Sequence, residues 1–159
     1  MFRPLRRAKK SIPDEDAKRL LQTERRGVLA VNGDSGYPYA VPVNYLYDEA
    51  AGKLYFHGAR AGHKVDALRR DSRVCFTVYG AERVSPEEAW APYLQSAVVF
   101  GRCRLMEDGP EAKEILRRLA SKYYPDPQAI AEELARAGTA AQVFEITIEH
   151  LSGKQIQEK

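Results

Sequence analysis

The sequence predicts a single antiparallel β-barrel with peripheral helices, a fold of the mainly β or α+β class. Three observations carry this: six segments have strand character, several of them follow one another in hairpin order, and the regular strand–helix alternation of a parallel sheet is missing. The 159 residues fit one domain. With 44% hydrophobic and 30% charged residues, the composition excludes disordered and collagen-like chains. The longest apolar runs, such as 97–100, fall far short of the ~20 residues a membrane helix needs. Residues 1–10 carry five basic side chains without an apolar core behind them, which reads as a solvated basic arm and not a targeting segment. Cys75 and Cys103 each sit inside an apolar run, as buried thiols of a reducing compartment do, so the expected location is cytoplasmic. The net charge of +3 is too small to argue for a nucleic-acid partner, and no membrane partner is expected.

Along the chain, Ser11, Pro13 and the acidic trio at 14–16 start a helix over residues 14–24, with Ala17, Leu20 and Leu21 as its apolar stripe. Residues 28–31 read as a buried strand, 32–36 as a turn, and 37–47 as the return strand, made irregular by Pro38 and Pro42. A third strand over 53–58 completes a meander. A short helix opens at Gly62, a strand covers 73–79, and Ser85, Pro86 and Glu88 predict a capped helix running to about Tyr93. Strand character returns over 97–107. Helices follow over 111–123 and over 127–137, the second ended by Gly138, and both read as packing helices. Phe144, Ile146 and Ile148 alternate with polar residues in a last strand, leaving 151–159 as a tail.

The segment most informative for chemistry is 57–64. A strand ends at His57 and Gly58, and a helix begins with Gly62, His63 and Lys64. Free N–H groups at a helix start attract anions, small glycines let a phosphate approach, and Lys64 adds a point charge. The same residues also fit a solvated basic helix start, and the triplet is too short to separate the two. His57 and His63 are candidate proton donors, while their separation and the lack of a completing Cys or carboxylate cluster argue against a metal. On the irregular strand, the break near 42–45 frees backbone groups for a planar heterocycle, or marks a bulged edge with no ligand. Trp90 and Tyr93, a helical turn apart, form either an aromatic wall or part of the core.

Taken together, the run Gly-Tyr-Pro-Tyr-Ala-Val-Pro-Val-Asn-Tyr over 36–45, Leu-Tyr-Phe-His-Gly-Ala over 54–59, Gly-His-Lys-Val-Asp-Ala-Leu over 62–68 and Arg-Val-Cys-Phe over 73–76 resembles the nitroimidazole-resistance branch of the pyridoxamine 5′-phosphate oxidase-like superfamily. Tyr93, Ser96 and 98–101 continue the likeness, which spans about residues 1–155. The resemblance implies a six-stranded split barrel that dimerises and holds FMN between its subunits. Carried over by position, Val43, Asn44 and Tyr45 face the isoalloxazine, mostly through backbone. His57 and Gly58 lie beside the ribityl-phosphate, Phe56 is a further cofactor-binding position, and His63 and Lys64 bind the phosphate. Tyr93, Ser96 and Val98 reach the cofactor from the second subunit. The arginine-rich substrate tail of the vitamin-oxidising branch is missing from 151–159.

The function this implies is reduction of a small electron-poor molecule such as a 5-nitroimidazole, with a reduced nicotinamide or a protein as electron donor. A flavin-binding dimer that stores or senses without turnover is the alternative, as is a split barrel that uses haem or a deazaflavin.

Overall fold

The computed structural model describes residues 1–84, 87, 93–137 and 140–156. Its framework is one antiparallel sheet of seven strands: β1 (Gly27–Asn32), β2 (Pro38–Val43), β3 (Leu46–Asp48), β4 (Lys53–Gly58), β5 (Arg73–Arg83), β6 (Tyr93–Leu105) and β7 (Gln142–Ile156). Their order in the sheet is β2-β1-β5-β6-β7-β4-β3. The two edge strands, β2 and β3, are joined in the chain only by Asn44 and Tyr45. Three Cα steps span at most ~11 Å, so the two edges must lie near each other, and the sheet curls into a barrel that is split at this seam.

The sequence reading of residues 37–47 as one strand is therefore corrected to two, which raises the strand count from six to seven. The strand over 53–58 pairs with β3 and β7, not with β2, so the expected meander breaks at the seam. Pro38 and Pro42 are accommodated because β2 is an edge, where a missing N–H costs no second ladder bond.

Alternation along the strands gives the barrel its interior. Leu29 and Val31, Val74, Phe76 and Val78, Ala97 and Val99, and Phe144 and Ile146 all point inward and are buried. Helix α1 (Asp14–Thr23) inserts Ala17, Leu20 and Leu21 into this core, and α2 (His63–Arg70) adds Val65 and Leu68. A second core forms where α3 (Pro110–Tyr123), itself packed on α4 (Pro127–Ala137), covers the outside of β4 and β7 through Ile115, Leu116, Tyr55 and Val143. Both cysteines are free thiols; Cys103 is buried, and burial pushes its pKa up to about 12.

Three further expectations are changed. Residues 151–156, read as a tail, extend β7 and pair with β6 as far as Leu94↔Ile156. The basic arm is not wholly solvated: Phe2 stacks on His150 and Phe100, with ring centroids 4.8 and 5.6 Å apart. The helix expected over 85–93, with Trp90, lies outside the described residues except at Glu87 and at Tyr93, and Tyr93 is the first residue of β6, not the end of a helix. Gly138, expected to end α4, also lies outside them.

Candidate functional site

The site grows from the end of β4. This strand is buried over Leu54–Phe56 and emerges at His57 and Gly58. After a short loop, Gly62 caps α2 with φ +126°, a backbone conformation that side chains disfavour, so the sharp turn into the helix depends on glycine here. The turn brings Lys64 back over the strand. Its Nζ lies 5.4 Å from the ring centroid of Phe144 and 5.8 Å from that of Phe56. The two rings are register partners stacked 4.6 Å apart and form an aromatic platform under the ammonium. A Cβ on Gly58 would come within 3.0 Å of Lys64 Nζ, so the bare glycine keeps the space around the charge open.

Lys64 is half-buried and has no ion-pair or hydrogen-bond partner among the described residues. An unneutralised ammonium in the first turn of a helix, beside a backbone without a Cβ, is chemistry suited to a phosphate. His57 shares this environment. It keeps access to solvent, yet the protein around it removes enough water to lower its pKa, and the Lys64 ammonium lowers it further. The ring is therefore neutral near pH 7, with one N–H to donate and one nitrogen to accept.

His63 faces elsewhere. Its ring stacks on Tyr39 at 4.1 Å and Nε2 sits 3.6 Å from the Asp34 carboxylate, which also binds Arg70 at 2.7 Å. The two histidines expected to act at one site thus have separate surroundings, and His63 fixes α2 to the β1–β2 turn.

Two other predicted residues support the site without lining it. Phe56 is fully buried, and its ring carries Lys64 from below. Tyr45 was expected to offer free backbone groups, but its N–H donates to the Tyr123 hydroxyl at 2.8 Å, and its carbonyl accepts from Lys122 Nζ at 3.1 Å and is 2.9 Å from the Tyr123 hydroxyl. The Tyr45 ring is buried against Phe76, and its hydroxyl donates to the Leu21 carbonyl at 2.8 Å. Lys122 also donates to the Glu24 carbonyl at 2.7 Å, while burial first, and then the charge of Arg25, bring its pKa down to about 8. The end of α3 therefore clamps the seam between β2 and β3 and leaves Val43 and Asn44 as the residues presented there. Val43 and Asn44 are half-buried, and the Asn44 carboxamide has no hydrogen-bond partner among the described residues.

Asn44 and His57 both line a cleft of about 300 Å³, together with Leu116, Leu119 and Tyr123 of α3 and Leu134 of α4. Sequence reasoning treated these helices as packing elements and missed this wall. The signal that could have found it is the small residue at Ala120 within the apolar stripe, next to the Tyr123–Tyr124 pair.

Tyr93, Ser96 and Val98 are not brought to this site within one chain. Tyr93 bonds Gln155 and Gln95 and lies under Arg83 at 4.4 Å. Ser96 pairs with Lys154, whereas the β6 residue level with Phe144 is Leu105, nine positions on, or ~30 Å at the rise of a strand. Ser96 and Val98 point outward with Tyr79 and Phe100, which are 64% and 38% exposed, beside Val28, Ala30 and Thr77. Their face of the sheet mixes Val28, Ala30, Val98 and Phe100 with Thr77 and Ser96, and Phe2 covers part of it at Phe100.

Among solved structures, the fold is similar to a candidate 5-nitroimidazole antibiotic resistance protein of Bacteroides thetaiotaomicron, with TM-score 0.76 and 21% identity over 91% of this chain and 86% of that one. It is also similar to an FAD-binding protein of Mesorhizobium loti, with TM-score 0.68 and 23% identity over 94% and 97% of the two chains. A flavocytochrome of Azotobacter vinelandii gives TM-score 0.77 and 21% identity over 98% and 73%. A search of curated proteins found no match. The family profile for pyridoxamine 5′-phosphate oxidase matches residues 13–155, a span that holds the Lys64 cradle, the clamped seam and the cleft, and the chain belongs to that family.

Proposed function

We propose that the chain binds FMN between two copies of itself and reduces a small, electron-poor molecule such as a 5-nitroimidazole. The observation that carries this reading is the Lys64 ammonium, without a hydrogen-bond or ion-pair partner among the described residues, held over the Phe56–Phe144 platform at the start of α2 and next to Gly58. It takes the phosphate. From there the cofactor runs past His57 toward Val43 and Asn44, whose carboxamide is free to bond the ring edge. FMN is the flavin proposed because the cradle offers a single ammonium, Lys64, matched to a single phosphate.

When bound, the flavin supplies the hydride chemistry. The chain's own residues bind the phosphate, set the ring against the clamped seam, and place His57 where its N–H can donate to, or relay a proton toward, the reduced molecule. His63 acts through the position of α2 and not through proton transfer, since its ring is engaged by Tyr39 and Asp34.

The outward face around Val98, Phe100 and Tyr79 supports the reading of a second copy. Exposed large apolar side chains grouped in this way favour association. The family resemblance sets Ser96 and Val98 against the cofactor, and because they lie far along β6 from Lys64 in one chain, that resemblance is met only by a neighbouring copy. Steady-state oxidation of a reduced nicotinamide with a nitroimidazole tests the reductase reading. Flavin uptake without such turnover would leave a storage or sensor dimer.

A further inference from the structure

The cleft behind Asn44 and His57 is a site in its own right. Its walls are apolar: Leu116 and Leu119 from α3, Leu134 from α4, and the rings of Tyr123 and Tyr124. The Tyr123 hydroxyl is used by the Tyr45 backbone, so this residue offers the cleft only its ring. The single carboxylate on the wall, Glu133, is held by Arg136 through paired contacts of 2.8 Å, so it presents no unpaired charge to an occupant. Against these walls stand two polar side chains without a partner among the described residues, the Asn44 carboxamide and the His57 imidazole, and His57 is also within electrostatic reach of Lys64. At about 300 Å³ the space lies at the small end of ligand pockets.

We propose that this cleft binds a neutral, planar aromatic molecule of one or two rings, with a polar substituent that reaches Asn44 and His57. The inference rests on the functional reading above and deepens it: the cleft is the seat of the molecule to be reduced, and the facing residues of α3 and α4 set which molecules enter. Apolar walls contribute affinity through desolvation, and the His57 imidazole, together with whatever carboxamide capacity of Asn44 the cofactor leaves unused, orients the guest, because a guest lacking a polar end would cover the imidazole without pairing it.

The test uses 4-nitrobenzamide as probe, with binding read by calorimetry on the full chain both without and with added FMN. Ala120→Phe and Ala137→Phe fill the cleft from its two helices. Each is expected to weaken probe binding at least ~10-fold, or about 1.4 kcal/mol, while FMN affinity stays within about twofold of the parent. Leu134→Ala enlarges the cleft and should shift preference toward the two-ring 6-nitro-2-naphthamide, a gain of binding that a misfolded variant cannot show. No probe binding by the parent chain, or unchanged binding in both filled variants, overturns the proposal. Parallel loss of FMN in the filled variants overturns it as well, because the cleft then belongs to the cofactor. A parent chain that binds the probe in the cleft but takes up no FMN sustains the site and refutes the flavin reading instead.

Discussion

Replacing Lys64 by Met removes the charge on which the phosphate cradle depends and keeps an unbranched apolar chain over the Phe56–Phe144 platform. The folded protein should tolerate this. Among the described residues Lys64 has no hydrogen bond or ion pair to lose, and its ring contacts, at 5.4 and 5.8 Å, are worth at most ~0.5–1 kcal/mol at a half-exposed position. Cofactor affinity should not be spared. One charge-assisted hydrogen bond to a phosphate contributes roughly 1.5–3 kcal/mol, so FMN should bind about tenfold to a hundredfold more weakly. Riboflavin, which lacks the phosphate, should bind as it does to the parent. A second readout needs no cofactor: the Lys64 ammonium lowers the pKa of His57, so in Lys64→Met the His57 ring protons should titrate at higher pH by NMR. Equal losses for FMN and riboflavin together with an unmoved His57 titration would refute both the contact and the geometry behind it.

Three other perturbations address the scaffold. Tyr123→Phe strips the Tyr45 N–H of its acceptor at the seam and should lower stability by about 1–3 kcal/mol, read as a lower urea midpoint with unchanged slope; no change would mean that water replaces the hydroxyl. Glu145 is 2% exposed; burial pushes its pKa up, but the hydrogen bonds from Arg104 at 2.7 Å and Lys53 at 3.0 Å outweigh this and leave it below the ordinary 4.5. Its contribution to stability is therefore present above about pH 4.5 and lost as pH falls through the lower folded value, so Glu145→Gln should show a shallower acid loss than the parent. Val98→Glu places a charge on the outward face and should reduce the mass seen by light scattering from twice 17.9 kDa to 17.9 kDa; a parent chain already monomeric contradicts the proposed dimer.

The barrel was legible because its strands and helices announce themselves locally: β1 by a run of apolar residues, α1 by its proline and acidic start, α3 and α4 by their apolar stripes. The cradle was legible for a similar reason, since glycine spacing and one lysine are local signals. What the sequence hid depends on distant partners. Pro42 signals a break near 42–45, but nothing local signals that the break divides the strand into two edges or that the freed groups of Tyr45 are taken up by Tyr123 and Lys122, more than seventy residues away. Phe56 carries the same pattern as a site-lining aromatic, and only its pairing with Phe144 makes it a platform. His63 sits in the best position of the motif, yet Tyr39 and Asp34 engage it. The extension of β7 through residues 151–156 is hidden because Ser152, Gly153 and Lys154 have little strand character, and β6 supplies their partners.

The most direct test of the central claim is the visible spectrum of the purified chain followed by titration with FMN. The Lys64 cradle predicts oxidised-flavin absorption, release of FMN and not FAD on denaturation, and saturation at about one FMN per chain once the released cofactor is returned. A colourless protein that leaves the fluorescence of added FMN unquenched would contradict it.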